Sequence, residues 1–499
     1  MLSMQRLIRA VRAPRGLAVL AGGLFGLGQA PVQAWPVALL GLAIGAFFWL
    51  QSTTARSAAW IGWCLGLGAF LSSIFWIAEP VLGGAAGHGW MIPFALLGMA
   101  GGLALFWAAA FYLAKRMAAG VLGLIALWSL AELLRGYLFT GFPWALPAYI
   151  WLDTPVAQLA AYVGPYGLSA MTFALAALAA QAYVSKSLPM ALWPVLIVMA
   201  MFGFGSLRLN QPLPDAAPHS LRIVQPNAAQ HLKWDPAYIP IFFERALDLS
   251  DPEGAALVIW PETSVAAPLY AAQPYLDLIA GRTKGAPAVV GLQRVNGRQG
   301  YNSAAVIDAK GTVGQIYDKR HLVPFGEYVP LPKLMNTIGL RTFTAQAGYG
   351  FSAGDSEVLF DFGPLGKALP LICYEAIFPR DARSRQRPDW LLQITNDAWF
   401  GTLTGPQQSL AQARFRAIET GLPMVRAANT GISAITDARG DILASIPLGE
   451  TGAVTAQLPS ALPPTFYFRF GERAVLAFLS LLAVCAWLLS QRLKARKTV

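Results

Sequence analysis

Long apolar stretches fill most of the first 206 residues of the chain and return near its end. A helix needs about 20 apolar residues to cross a ~30 Å hydrocarbon core, and several of these stretches reach that length. We predict eight spans, at residues 17–30, 36–50, 57–79, 90–114, 119–138, 165–184, 188–206 and 472–490. Residues 1–212 would form a transmembrane bundle of about seven spans, and residues 469–499 a final helix with a basic tail.

Residues 213–468 show a different pattern, in which short apolar runs alternate with amphipathic segments. Such runs, bounded by turn-forming residues, predict β-strands. Strands are expected at residues 220–225, 256–260, 288–292, 303–308, 313–319, 358–362, 369–373, 390–395, 432–436 and 453–457. Helices are expected at residues 237–249, 270–282 and 407–421. This alternation favours a layered α/β sandwich.

Composition supports a membrane protein with a water-facing domain. Of the 499 residues, 56% are hydrophobic and 13% are charged, whereas soluble domains average about 25% charged residues. The net charge is +11, from 37 Lys and Arg against 26 Asp and Glu. These basic residues lie mostly at the termini and in short loops, without clusters interleaved with aromatic residues, and this argues against nucleic-acid binding.

The basic residues also predict the orientation in the membrane, because Lys and Arg concentrate on the cytoplasmic side. With the amino terminus in the cytoplasm, the loops and tail on that side contain Arg56, Lys115, Arg116, Lys186, Arg492, Lys494, Arg496 and Lys497. The opposite loops, residues 31–35 and 80–89, contain no Lys or Arg. Residues 213–468 are therefore predicted to lie outside the cytoplasm.

Three further features of the chain suggest local structure. Arg135 is the exception to the charge pattern, and Glu132 three residues earlier predicts an ion pair. Residues 141–166 are predicted to be an external aromatic segment lying on the bilayer, with an ordinary aromatic belt as the alternative. Residues 331–354, which have little periodicity, are predicted to be an apolar flap.

Cys373 is the first candidate for chemistry, because it ends a buried apolar strand at the strand's carboxyl edge. The other cysteines, Cys64 and Cys485, lie inside long apolar stretches, so Cys373 has no evident disulfide partner. A lone cysteine can be a small core residue. A reactive thiol is the alternative.

Two other predicted strands also end in charged residues. Glu262 follows one strand and Lys319 ends another, with Glu327 eight residues later. A carboxylate can take the thiol proton while an ammonium stabilises a tetrahedral oxyanion, so this set predicts a nucleophilic thiol site. The four histidines are scattered, and no spacing predicts a metal or cofactor site: His88, His219, His231 and His321.

Three motifs in this order resemble the nitrilase superfamily: Trp-Pro-Glu at residues 260–262, YDKRHLVPFGEY at 317–328 and ICYE at 372–375. With the apolar spans, the full set resembles the apolipoprotein N-acyltransferase family of bacterial inner-membrane enzymes. The resemblance covers nearly the whole chain. It implies a polytopic α-helical membrane bundle plus a nitrilase-like αββα sandwich domain on the periplasmic side.

The resemblance also implies roles for individual residues. The catalytic triad of the family corresponds to Glu262, Lys319 and Cys373. The residues implied to position substrate or to stabilise the oxyanion are Glu327, Tyr374, Glu375 and Trp234. No cofactor or metal is implied.

The reaction implied is ping-pong acyl transfer through a thioester on Cys373, the last step of bacterial lipoprotein maturation. The expected partners are a phosphatidylethanolamine-like acyl donor, a diacylglyceryl apolipoprotein acceptor and the bilayer, with the protein as a monomer. Two alternatives are a membrane-anchored amidohydrolase of the nitrilase superfamily and a transporter or receptor with an inactive nitrilase-like domain.

Overall fold

The computed structural model describes residues 14–82, 89–330 and 350–497. Most of the predicted flap, residues 331–354, therefore lies outside the described residues. The described chain divides into two compact units. The first comprises residues up to 81, residues 87–211 and residues from 465 onward, and the second comprises mainly residues 212–464.

The first unit is built from long apolar helices. In chain order its longer helices are α1 (Pro14–Gly26), α2 (Trp35–Gln51), α3 (Ala55–Ser73), α4 (Ile92–Arg116), α5 (Gly120–Arg135), α6 (Ala160–Ser185), α7 (Leu188–Leu209) and α11 (Arg473–Lys497). Four helical segments of the described chain are long and apolar enough to cross a membrane: Gly89–Arg116, Pro155–Ser185, Leu188–Leu209 and Arg473–Arg492. Trp35–Gln51 is a shorter apolar helix.

The predicted ion pair is present inside this unit. Arg135 and Glu132, one turn apart on α5, are both fully buried, with 2.6 Å between Nη2 and Oε2. Trp107 Nε1 donates to Glu132 Oε1 at 2.7 Å. Arg135 Nη1 donates to the carbonyl oxygens of Phe142 and Trp144, the latter at 2.9 Å. Every charge in this group therefore has partners within the helical unit.

Residues 141–166, which were predicted to be an external segment lying on the bilayer, are mostly buried within the helical unit. The segment folds into two 3₁₀ helices, Pro147–Trp151 and Pro155–Leu159, whose residues are mostly buried. Trp151 stacks on Trp35 at 4.9 Å and donates to Thr172 Oγ1 at 2.8 Å. The aromatic residues pack inside the protein because Arg135 holds the start of the segment and Thr172 of α6 accepts a hydrogen bond from the Trp151 indole.

The described residues of the second unit form two six-stranded sheets and three α-helices. Its strands are β1 (Ser220–Gln225), β2 (Leu257–Ile259), β3 (Ala288–Asn296), β4 (Gln299–Ile307), β5 (Val313–Asp318), β6 (Phe360–Asp361), β7 (Lys367–Ile372), β8 (Trp390–Thr395), β9 (Met424–Ala428), β10 (Ser433–Thr436), β11 (Ile442–Ile446) and β12 (Gly452–Gln457). Its helices are α8 (Ile239–Asp248), α9 (Gln273–Arg282) and α10 (Gly405–Thr420).

The strand order is β12-β1-β2-β3-β4-β5 in the first sheet and β11-β10-β9-β8-β7-β6 in the second. Strands β1 to β3 are parallel neighbours, as are β7 to β9, while the outer pairs are antiparallel. Parallel strands of this kind are covered on both faces and carry continuous apolar runs. The register pairs Ile223 with Ile259 and Ile372 with Ile394.

Apolar side chains of the two sheets meet in one shared core, which includes Ile223 and Ile259 of the first sheet and Ile372 and Trp390 of the second. The outer face of the first sheet forms another core with α8 and α9. Helix α10 is almost entirely buried and packs on β9. These layers form the predicted αββα sandwich.

Candidate active site

The predicted triad residues follow three strands that end at the site. Glu262 lies three residues after β2, Lys319 directly follows β5, and Cys373 directly follows β7. Strands β2 and β5 belong to the first sheet and β7 to the second. The carboxyl ends of strands in α/β folds are where reactive groups collect. Here Glu262 and Lys319 are buried and adjacent, and their charges act on the partly exposed Cys373.

Lys319 lies at the centre of the cluster and is 1% exposed. Its Nζ is 2.9 Å from Glu327 Oε1 and 3.7 Å from Glu262 Oε1. Burial by itself would lower the pKa of Lys319, but the nearby charges of Glu327 and Glu262 raise the pKa above its usual value. The side chain is therefore an ammonium at neutral pH.

Asn302, on β4, connects the two glutamates. Its Nδ2 donates to Glu262 Oε1 at 2.6 Å and to Glu327 Oε1 at 3.1 Å. Its Oδ1 is buried and has no hydrogen-bond partner among the described residues. Sequence reasoning did not select Asn302, because it is uncharged and lies just before the predicted strand 303–308, whereas the observed strand β4 begins at Gln299.

Backbone amides fix the other carboxylate oxygens. Asn396 N donates to Glu262 Oε2 at 2.9 Å, and Val323 N donates to Glu327 Oε2 at 2.8 Å. Glu262 is 7% exposed. Hydrogen bonds to both oxygens of a carboxylate restrict its rotation, so Glu262 is held in one orientation while one oxygen stays close to Lys319.

Cys373 is a free, partly exposed cysteine in a strained backbone conformation. Its φ angle is +50°, in the left-handed region that residues with a Cβ rarely adopt. Gln393 Nε2 donates to its carbonyl oxygen at 3.1 Å. Strain of this kind persists only where surrounding contacts impose it, and it is common at active sites.

The thiol of Cys373 is protonated at neutral pH. Burial raises the pKa of Cys373 to about 12, the charge of Glu262 raises it as well, and the Lys319 ammonium opposes this increase. A thiolate would therefore form only when a base accepts the proton. Glu262 is the carboxylate whose charge acts most strongly on this thiol.

Glu375 connects the residues that follow Lys319 to the residue that precedes Cys373. Its Oε1 accepts hydrogen bonds from Tyr317 Oη at 2.7 Å, Arg320 N at 2.8 Å and His321 N at 3.2 Å. Its Oε2 accepts from Ile372 N at 2.7 Å. This carboxylate therefore binds the Tyr317 hydroxyl and the protein's own backbone, and its implied role in positioning substrate or stabilising the oxyanion stays a prediction.

Tyr374 follows Cys373 at the start of the 3₁₀ helix Cys373–Ile377. Amide groups in the first turn of a helix have no acceptor within that helix, so the Tyr374 N–H is suited to an oxyanion. Its ring contacts His321 edge-to-face with 5.6 Å between centroids. Burial raises the pKa of Tyr374 above its usual range, so the hydroxyl stays protonated.

Trp234 lies near the site but is only half-buried. The residue beside it, Lys233, is the buried one, at 7% exposed. Lys233 Nζ lies 5.8 Å from the centre of the Trp234 ring. Sequence reasoning selected Trp234 from the family motif and missed Lys233, because this lysine lies between the predicted strand 220–225 and the predicted helix 237–249 and nothing there predicted burial.

The arrangement can perform acyl transfer through a covalent thioester. It contains a thiol, a carboxylate that can take its proton and an ammonium beside that carboxylate. Among the described residues, no group of three or more His, Cys, Asp or Glu side chains could hold a metal ion.

Two family models and solved structures match parts of the chain. Residues 221–463 match the carbon-nitrogen hydrolase family, and residues 21–179 match the apolipoprotein N-acyltransferase N-terminal domain. An amidase from Nesterenkonia sp. is similar to part of the chain, with a TM-score of 0.38 and 21% identity, covering 54% of this chain and 98% of the amidase.

Similarity to two bacterial enzymes extends over both units. The apolipoprotein N-acyltransferase of Bradyrhizobium diazoefficiens is 38% identical over 507 residues, covering 93% of this chain and 93% of that enzyme. The apolipoprotein N-acyltransferase of Caulobacter vibrioides is 37% identical over 495 residues, covering 93% of this chain and 92% of that enzyme. The chain therefore belongs to the apolipoprotein N-acyltransferase family of multi-pass membrane enzymes.

Proposed function

We propose that this chain transfers a fatty acyl chain from a phospholipid to the α-amine of a diacylglyceryl-cysteine, and so completes lipoprotein maturation. In the first half-reaction, Glu262 takes the thiol proton of Cys373 and the thiolate attacks the ester carbonyl. The oxyanion is stabilised by the Lys319 ammonium and the Tyr374 N–H. When the intermediate collapses, the lysophospholipid alkoxide leaves with the proton from Glu262, and a thioester remains on Cys373.

The second half-reaction reverses these proton movements. The neutral amine of the acceptor attacks the thioester carbonyl and gives a proton to Glu262. The intermediate collapses by breaking the carbon–sulfur bond, an amide forms, and the thiolate regains its proton from Glu262. Glu327 and Asn302 serve as positioning residues, because both contact Lys319 or Glu262 directly.

One observation supports this function most strongly. Lys319 Nζ lies 2.9 Å from Glu327 and 3.7 Å from Glu262, beside a free thiol whose pKa is raised to about 12. A protonated thiol at rest does not react unless a base is held next to it. The buried carboxylate–ammonium pair supplies that base together with the charge that stabilises the oxyanion.

The family also supports a location and a topology. We assign residues 1–212 to a bundle of seven spans, residues 213–468 to a catalytic domain on the periplasmic side of the inner membrane, and residues 469–499 to the last span and cytoplasmic tail. The distribution of Lys and Arg supports this orientation. The donor is a phosphatidylethanolamine-like lipid, and the protein acts as a monomer.

Intact-mass measurement tests the reaction. Purified protein in detergent is incubated with phosphatidylethanolamine, and we expect a fatty-acyl adduct that transfers to a diacylated lipopeptide. The adduct should be absent in Cys373→Ser and unchanged in the matched controls Cys64→Ser and Cys485→Ser. Loss of the adduct to water as free fatty acid, with no lipopeptide acylated, would instead support an amidohydrolase-like hydrolase.

A further inference from the structure

Lys233 is a buried lysine beside the site, and the mechanism above does not use it. It lies in the turn that follows β1, where its backbone N donates to Ala229 O at 2.9 Å. Its Nζ donates to the carbonyl oxygen of Glu262 at 3.1 Å and to Thr263 Oγ1 at 3.0 Å. The ammonium therefore holds the backbone of the catalytic carboxylate and the side chain that follows it.

The chain segment that Lys233 holds is strained. Thr263 has a φ angle of +45°, and a β-branched residue is a genuine outlier in that region. On the other side, a Cβ at Gly291 would meet Glu262 Cα at 2.7 Å, so only glycine lets β3 approach this turn. Lys233 and β3 together fix the direction in which the Glu262 side chain leaves the backbone.

A second connection joins the Lys233 turn to the carboxylate itself. Gln230 Oε1, three residues earlier, accepts a hydrogen bond from Asn396 Nδ2 at 2.7 Å. The backbone N of Asn396 donates to Glu262 Oε2 at 2.9 Å. The turn therefore controls Glu262 at both its carbonyl and its carboxylate.

The electrostatic environment of the Lys233 ammonium differs from that of the Lys319 ammonium. Its two hydrogen-bond partners are neutral oxygens, and none of the ion pairs among the described residues includes it. Glu262, Glu327 and Lys319 together leave one negative charge in excess, and the Lys233 ammonium balances it. The titratable groups that act on Lys233 are Glu262 and Cys373, both of which favour its charged form. Because coupling is reciprocal, the ammonium favours the ionised forms of Glu262 and Cys373.

We propose that Lys233 is a cationic positioning residue, which orients Glu262 through its carbonyl and lowers the cost of forming the Cys373 thiolate. This inference rests on the proposed function for its relevance to acyl transfer. The charge effect itself can be measured without any lipid, through the reactivity of the thiol.

The effect should depend on pH in a defined direction. Burial lowers the pKa of Lys233 from 10.5 to about 8. The side chain is therefore charged below that pH and neutral above it. Any advantage that its charge gives to Cys373 must be present at neutral pH and must disappear as the pH rises through about 8.

The test follows alkylation of Cys373 by iodoacetamide across this pH range, with peptide mapping to score Cys64 and Cys485 separately. Lys233→Met should react about tenfold more slowly than the wild type near neutral pH, the equivalent of about one pKa unit. The difference should close at alkaline pH, where the wild-type lysine is itself neutral. Lys233→Arg keeps its charge, so it should match the wild type near neutral pH and exceed it at alkaline pH.

Thr263→Val is the matched control, because it removes the hydroxyl that Lys233 contacts and keeps the charge. It should alkylate at close to the wild-type rate. A difference for Lys233→Met that is constant with pH, or no difference at all, would overturn the proposal. If Lys233→Met does not fold, the proposal is tested by the alkylation rate of Lys233→Arg at alkaline pH, which must exceed that of the wild type. Because no lipid is present, failure of this test is distinguishable from failure of the acyl-transfer proposal.

Discussion

Each unit of the protein contains a buried cluster of charges, and the two clusters are built differently. In the helical unit, Arg135 pairs with Glu132, and both oxygens of that carboxylate accept short hydrogen bonds from Arg135 or Trp107. In the sandwich, Lys319 is shared between two glutamates, at 2.9 Å and 3.7 Å. A neighbouring amide oxygen, Asn302 Oδ1, has no partner among the described residues.

The difference indicates what each cluster is for. A buried pair whose donors and acceptors are all used holds structure in place, here the segment after α5, and offers nothing to a substrate. In the sandwich cluster, the Lys319 ammonium lies at unequal distances from two carboxylates, and the neighbouring Asn302 oxygen has no partner among the described residues. Polar groups of this cluster therefore stay available to a reacting molecule. Buried charge alone would not have distinguished the two regions, whereas the pattern of hydrogen bonds does.

Lys319→Met should have the largest effect. It removes the proposed oxyanion donor and leaves Glu262 and Glu327 without their shared cation. We expect thioester formation to fall about 10³-fold, the upper range for loss of one oxyanion-stabilising group. Single-turnover acylation, followed by intact mass, measures this loss. A variant within tenfold of the wild type would show that Lys319 has only a structural role, like Arg135.

Glu132→Gln should act on stability instead of chemistry. It leaves the buried Arg135 without a counter-charge, and breaking a buried pair in this way costs about 3–5 kcal/mol. We expect a lower melting temperature in detergent, with unchanged alkylation of Cys373 in the folded fraction. The double variant Glu132→Leu, Arg135→Leu should recover much of the lost stability. Slower alkylation in the folded Glu132→Gln protein would contradict the separation between the two clusters.

Asn302→Asp should have the smallest effect of the three. It places a third carboxylate between Glu262 and Glu327, and like charges raise the pKa of neighbouring carboxyl groups. A proton would then be held on the cluster at neutral pH, so we expect acylation to slow about tenfold to a hundredfold and to recover as the pH rises. The acylation rate of Asn302→Leu, which adds no charge, should not recover as the pH rises. A deficit in Asn302→Asp that does not change with pH would contradict this account.

Much of this arrangement could be predicted from the chain, because strand-ending residues are visible as a polar group after an apolar run. That pattern predicted Glu262, Lys319 and Cys373 and the sandwich that holds them. Strand β9 was missed because Arg426 interrupts its apolar run, and the structure shows this arginine fully buried and paired with Asp397. Exposed strand β11 has no clear alternation to identify it.

Other features depend on contacts between distant parts of the chain. Asn302 reaches both glutamates only because the register of β3 and β4 pairs it with Gln293 and directs it to the site. Lys233 and Asn396 meet Glu262 across 29 and 134 residues of sequence. The aromatic residues after α5 have the composition of a membrane interface, and only their packing against α2 and α6 shows that they are internal.

Lys319 and Cys373 are attached to different sheets, and the carboxylate of Glu375 bonds both segments at once. Sliding of one sheet past the other would stretch those bonds before it separated the sulfur from the ammonium nitrogen. Segments remote from this join can change in length or sequence without altering that separation. Such an anchor lets the surrounding loops vary while the reacting atoms keep their spacing.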